Sequence, residues 1–136
     1  MIKLIVGKKG SGKTKTLIEL VNAALDTTNG SVVCIEKGNK LNFEINYKCR
    51  LIDTDEYLVT DGQSLYGFIA GILASNHDVT DIFIDSALKI CQNDAESFDN
   101  FLTALDGLIA EHEVNCVITS SIAPEEASQV VLKYTA

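Results

Sequence analysis

Short apolar runs of strand length alternate with stretches of helical period along this 136-residue chain, and that alternation limits the fold more than any other feature. Ile2 to Val6 is a β-branched run that stops at Gly7. Between Lys13 and Asp26, Leu17, Ile18, Val21, Ala24 and Leu25 recur at helical spacing. Asn29-Gly30 breaks the chain ahead of Ser31 to Glu36 (SVVCIE), a second buried strand. Asn42 to Ile45 and Cys49 to Ile52 read either as a hairpin or as one strand plus an edge strand. Asp61 suits the cap of a helix that carries Leu65, Phe68, Ile69, Ile72 and Leu73 on one face. Val79 to Asp85 (VTDIFID) is a further strand, Asp94 to His112 a long amphipathic helix, and Val114 to Ser120 the last clear strand. Pro124, followed by Glu125 and Glu126, suits the first turn of a terminal helix.

Buried strands separated by helices call for a parallel sheet covered on both faces, because each parallel connection needs a crossover. The expectation is one α/β domain over residues 1–136, with three α/β/α layers around a mostly parallel central sheet.

Gly7 to Thr14 reads GKKGSGKT, a full match to G-x-x-x-x-G-K-[ST], placed where a strand ends and a helix begins. Such a loop binds phosphate for physical reasons. Glycines let the backbone curl so that successive N–H groups point inward at phosphate oxygens, and the helix N-terminus adds positive potential. The segment Gly7, Lys8, Lys9, Gly10, Ser11, Gly12, Lys13, Thr14 and Lys15 is therefore the expected nucleotide-binding set. Lys13 would reach the β- and γ-phosphates, and the Thr14 hydroxyl would ligate Mg²⁺. Lys8 and Lys9 either face solvent or help to neutralise the phosphates. A second carboxylate on the metal is expected at the end of a neighbouring strand, where Asp85 follows Ile82-Phe83-Ile84. Asp81 lies at the start of that strand and reads as structural.

What the chain lacks narrows the class. Asp85 is followed by Ser86-Ala87-Leu88 rather than D-x-x-G, and no N-K-x-D base-reading motif occurs. Arg50 is the single arginine among eleven basic residues, too few for a kinase that must neutralise two phosphate chains during transfer. No LSGGQ-type signature is present. An ATPase or an ATP-binding switch with an extra central strand remains.

These residues resemble RecA/KaiC-like ATPases. In that group the strand after the phosphate-loop helix ends in a glutamate that polarises the attacking water, and here VVCIE ends in Glu36. Their metal aspartate is commonly followed by serine, as in Asp85-Ser86. A polar residue at the tip of the next strand senses the γ-phosphate, which falls within Thr119-Ser120-Ser121, with Ser120 at its centre. More closely, GKKGSGKT, VVCIEKGNK, RLIDTDEY and DIFIDSALKI resemble a family of small stand-alone bacterial P-loop NTPases, described as ATP-binding or loosely as twitching-motility PilT-like. That resemblance implies a P-loop NTPase fold with its phosphate-loop strand central in the sheet, ATP and Mg²⁺ as cofactors, and Lys13 and Glu36 as catalytic residues. Glu36 competes as general base with the acidic group Asp53, Asp55 and Glu56, which also reads as a solvated turn.

Composition sets the remaining expectations. Nineteen acidic against eleven basic side chains give a formal charge of −8, which repels nucleic-acid backbones and anionic membranes alike. Cys34, Cys49, Cys91 and Cys116 are scattered with no C-x-x-C pair, so they read as reduced structural thiols. His77 and His112 read as surface residues. No signal peptide is apparent at the N-terminus, and no run reaches membrane-span length. A soluble, cytoplasmic protein is expected, with a protein partner or a homo-oligomer left open. The functional expectation is slow Mg²⁺-dependent ATP hydrolysis, with a nucleotide switch or a small-molecule kinase as alternatives.

Overall fold

The computed structural model describes residues 1–41 and 44–135. Strands β1 (Ile2–Gly7), β2 (Ser31–Glu36), β3 (Arg50–Asp53), β4 (Val79–Ile84) and β5 (Asn115–Ser121) form one sheet in which every pairing is parallel. Their order is β1-β5-β4-β2-β3. Helices α1 (Lys13–Thr27), α2 (Gly62–Ser75), α3 (Ala87–Ile90), α4 (Ala95–His112) and α5 (Gln129–Tyr134) make the crossovers and the C-terminal segment.

The strand pleat sends successive side chains to opposite faces, and the core divides accordingly. Val32 and Cys34 of β2 and Phe83 of β4 pack with Leu17 and Val21 of α1. Val33, Ile35, Ile82 and Ile84 join a larger cluster with Leu65 and Ile69 of α2 and Phe98, Leu102 and Leu105 of α4. Helices thus meet both faces of the sheet, an arrangement compatible with three layers. The α2 start is fixed by a capping box. Asp61 accepts from the Ser64 N–H, and the Ser64 hydroxyl accepts from the Asp61 N–H. Asp94 caps α4 through its side chain alone, accepting from the Glu96 and Ser97 N–H groups.

Two expectations need correction. The phosphate-loop strand β1 is not central but stands at the edge of the sheet. β5 pairs with β1 on one side and β4 on the other, while among the described residues the outer side of β1 carries only the isolated bridge Leu4–Thr135. Of the two readings of the middle segments, the hairpin is not formed among the described residues, where Ile45 lies in a bend, and the edge strand is β3, beside β2. Asn42 and Phe43, part of that proposed strand, are outside the described residues. Pro124 opens a 3-10 turn, Pro124–Glu126, and the terminal helix starts only at Gln129, capped by the Ser128 hydroxyl. The acidic stretch after β3 is a 3-10 turn, Thr54–Tyr57, capped by Asp53, with Asp55 and Glu56 exposed as the solvated reading had it.

All four cysteines are free and buried. Burial pushes the Cys91 and Cys49 thiols up to about 11 and Cys116 to about 12, so they stay protonated and unreactive. His77 and His112 are exposed. Among the described residues no helix is long and apolar enough to cross a membrane.

Leu17 is fully buried and links α1 to its face of the sheet. Leu17→Ala should lower the unfolding free energy by about 2–5 kcal/mol in urea titrations. A loss under about 1 kcal/mol would mean that α1 does not close this half of the core.

Candidate functional site

Because every strand is parallel, Gly7, Glu36, Asp53, Ile84 and Ser121 all end at one edge of the sheet, the edge where open parallel sheets bind ligands. The loop after β1 makes its turns with Gly10 and Gly12 at φ 85° and 88°, a region that L side chains rarely adopt. Gly12 is also the N-cap of α1. No side chain caps this helix and no acidic residue sits in its first turn, so its leading N–H groups stay open to an anion. Lys13 Nζ donates to the Lys8 carbonyl at 2.9 Å and lies 3.5 Å from Ser11 Oγ, which holds the cation over its own loop.

Asp85 follows the last residue of β4, and its N–H donates to the Ile35 carbonyl at 2.9 Å. The carboxylate is 8% exposed. Thr119 Oγ1 donates to Oδ1 at 2.7 Å, and Thr14 Oγ1 lies 3.2 Å from Oδ1 and 3.4 Å from Oδ2. Ser86 is left-handed at φ 58° although it is not glycine, and its N–H donates to Thr119 Oγ1 at 2.9 Å. Three elements, α1, β4 and β5, therefore converge on one buried carboxylate through hydroxyl groups.

These donors suit a divalent cation. Among the described residues the one ion pair is Lys37–Asp55, so Asp85 is buried with hydroxyl partners and no protein counter-ion. No group of three or more His, Cys, Asp and Glu side chains is gathered for a metal among the described residues. Thr14 with Asp85 is the modest protein set that Mg²⁺ uses when phosphates and water complete its octahedron.

A cleft of about 610 Å³ opens beside this pair. Lys9, Gly10, Gly12, Lys13, Thr14 and Lys15 line it together with Lys40, Leu41, Asp85, Ser86, Leu88, Lys89, Asn93 and Ser121. Five lysines of a chain with net charge −8 thus meet at one cavity. A second cavity of about 570 Å³, between the starts of α2 and α4, carries the opposite charge through Asp61, Asp94 and Glu96. Two of those carboxylates are already committed as helix caps.

Of the expected residues, Lys9, Gly10, Gly12, Lys13, Thr14, Lys15 and Asp85 line the cleft, whereas Gly7, Lys8, Ser11, Glu36 and Ser120 do not. Lys9 faces it, whereas Lys8 contributes its carbonyl to Lys13 and is otherwise exposed. Ser120 is not on the cleft wall: it is fully buried, and its hydroxyl accepts from the Leu88 N–H at 3.3 Å. Ser121, paired in register with Gly7, lines the cleft instead. Side chains alternate along a strand, so a one-residue step moves the hydroxyl from the core to the cleft.

Glu36 is 2% exposed and does not line the cavity. One of its oxygens accepts from the Lys40 N–H at 3.1 Å and the other from the Leu41 N–H at 3.2 Å. Burial pushes the Glu36 carboxyl above its ordinary 4.5, opposed by those two N–H bonds and reinforced by the Asp85 and Asp53 charges. Sequence reasoning missed Lys40 and Lys89, and it named Thr119 only within the stretch Thr119-Ser120-Ser121. A usable signal existed for the first two. Each lysine follows, by four residues, the acid that closes a parallel strand, Glu36 in one case and Asp85 in the other.

Neither the models of known protein families nor the curated proteins contain a match to this chain.

The raised Glu36 value fixes a pH dependence. The folded chain holds this proton more tightly than the unfolded chain, so the contribution to stability is present below 4.5 and lost as pH climbs through the raised value. The stability advantage of the native chain over Glu36→Gln should therefore shrink between about pH 4 and pH 7 in urea titrations. An advantage that grows across that interval would contradict burial as the dominant influence on this group.

Proposed function

We propose that this chain is a P-loop NTPase that binds ATP with Mg²⁺ and hydrolyses it slowly, as its resemblance to small bacterial ATP-binding proteins and RecA/KaiC-like ATPases implies. The observation that supports this best is the contact between Thr14 and the buried Asp85 at the wall of a lysine-lined cleft. An anion is favoured by the open N–H groups of α1 and by Lys9, Lys13 and Lys15. Thr14 and Asp85 would hold Mg²⁺, which neutralises charge on the transferring phosphate. Lys13 spreads the charge that develops on the γ-phosphate as water attacks in line. Adenine is preferred over guanine because the guanine-reading motif is missing from the sequence.

Glu36 is the carboxylate proposed to position that water. Both of its oxygens hold the Lys40 and Leu41 N–H groups, so this role requires one oxygen to leave them first. Turnover is accordingly slow. The same two bonds favour a second reading, a nucleotide-dependent switch in which the segment after β2 changes position with the ligand and alters a partner surface. The cytoplasm is the compartment in which four buried thiols remain reduced.

Titration calorimetry with ATP, ADP and GTP, with and without Mg²⁺, tests this reading. We expect ATP binding at roughly micromolar Kd that requires Mg²⁺ and is lost in Lys13→Ala. Turnover of the isolated protein should stay below about 1 per second, the low end for enzymes. Absence of binding by any nucleotide would overturn the proposal.

A further inference from the structure

The segment Lys37–Leu41 brings one further lysine, Lys40, to the cleft. It leaves the end of β2 and is tied at both ends. At its start, Lys37 pairs with Asp55 at 2.7 Å, and the Gly38 N–H donates to Asp53 Oδ1 at 2.8 Å. At its finish, Glu36 accepts from the Lys40 and Leu41 N–H groups, and the Leu41 side chain, 2% exposed, packs into the cluster of Leu17, Val21 and Cys34. Gly38 makes the turn at φ 94°. The exposed Lys37–Asp55 pair adds little by itself, but the buried ties fix the backbone. The segment is therefore a strap with a set path, and from it the exposed side chain of Lys40 reaches the wall of the cleft.

The position of that wall decides which part of a ligand Lys40 meets. Asp85 and Lys40 follow adjacent strands, β4 and β2, joined by the Asp85 N–H to Ile35 carbonyl bond. Lys40 and Asp85 both line the cleft, together with Lys9, Lys13, Thr14 and Lys15 of the loop. A phosphate chain cradled by the loop places its terminal group toward the metal residues, Thr14 and Asp85. A diphosphate would present one charged group fewer at that end. The chain's single arginine, Arg50, lies at the opposite, N-terminal end of β3, so a lysine must meet the extra charge of a third phosphate.

We infer that Lys40, delivered by the Lys37–Leu41 strap, is a binding residue for the third phosphate and makes the site prefer a nucleoside triphosphate to the diphosphate; this rests on the nucleotide reading above. Glu36 acts here as a positioning residue, because its carboxylate sets where the Lys40 backbone lies. The same strap links the identity of the ligand to Asp53 and Asp55 at the edge strand β3.

The test compares Kd for Mg-ATP and Mg-ADP by titration calorimetry in the native chain, Lys40→Ala, Lys40→Arg and Lys133→Ala. Lys133 is an exposed lysine on α5, outside the cleft, and controls for the loss of one positive charge. Lys40→Ala should weaken ATP binding about tenfold and ADP binding less than about twofold, the scale of one charge-assisted contact. Lys40→Arg should keep the native preference, and Lys133→Ala should match the native chain. Gly38→Ala, which strains the strap without touching Lys40, should lose part of the same preference. An ATP-to-ADP ratio unchanged in Lys40→Ala, or changed equally in Lys133→Ala, would overturn this inference and leave the nucleotide reading intact. A native chain that binds neither nucleotide would overturn both.

Discussion

A single buried carboxylate organises the functional edge of this protein. Asp85 receives hydroxyl groups from Thr14 on α1 and Thr119 on β5, and its backbone N–H ties β4 to β2. Through these bonds the phosphate loop, the inserted strand and the strand carrying Glu36 hold fixed positions relative to one another. Thr119 also accepts the N–H of Ser86, which stabilises the left-handed turn that carries the chain into α3. Hydroxyl partners satisfy hydrogen bonding without cancelling charge, and a cation beside Asp85 would supply what they leave out.

The distribution of lysine follows from the same arrangement. An acidic protein repels nucleotides at long range, so the local field at the cleft must be strong enough to reverse that tendency. On the proposed reading, five lysines from three separate segments supply that field: the loop after β1, the strap after β2 and the short helix after β4. The acid-lined cavity between α2 and α4 has the wrong sign for phosphate. Its size is close to that of the lysine cleft, so charge rather than volume separates the two.

Much of this arrangement could be read from the residues in order. The strands of β2 and β4 show as apolar runs, α4 shows through its periodicity, and GKKGSGKT is contiguous, so local pattern suffices for each. Asp85 was readable as the first polar group after Ile84. Sheet order was not, because periodicity says which face a residue takes and nothing about which strand lies beside another. β1 at the edge is a consequence of β5 entering between β1 and β4. The four-residue α3 is too short for a periodic signal. Ser121 rather than Ser120 reached the cleft through a one-residue phase along β5 that only the pairing with β1 fixes. Lys40 was hidden for another reason: its place depends on Glu36 folding the strap back, a contact between a side chain and backbone amides.

The central claim is that Thr14 and Asp85 hold a divalent cation together with a nucleotide. Paramagnetic broadening by Mn²⁺, used in place of Mg²⁺ and followed through assigned amide resonances, tests it directly. The account predicts that with ATP present the broadening centres on Thr14, Asp85 and Ser86 and spares Asp61, Asp94 and Glu96. Broadening centred on the acidic cavity between α2 and α4, or unaffected by ATP, would contradict it.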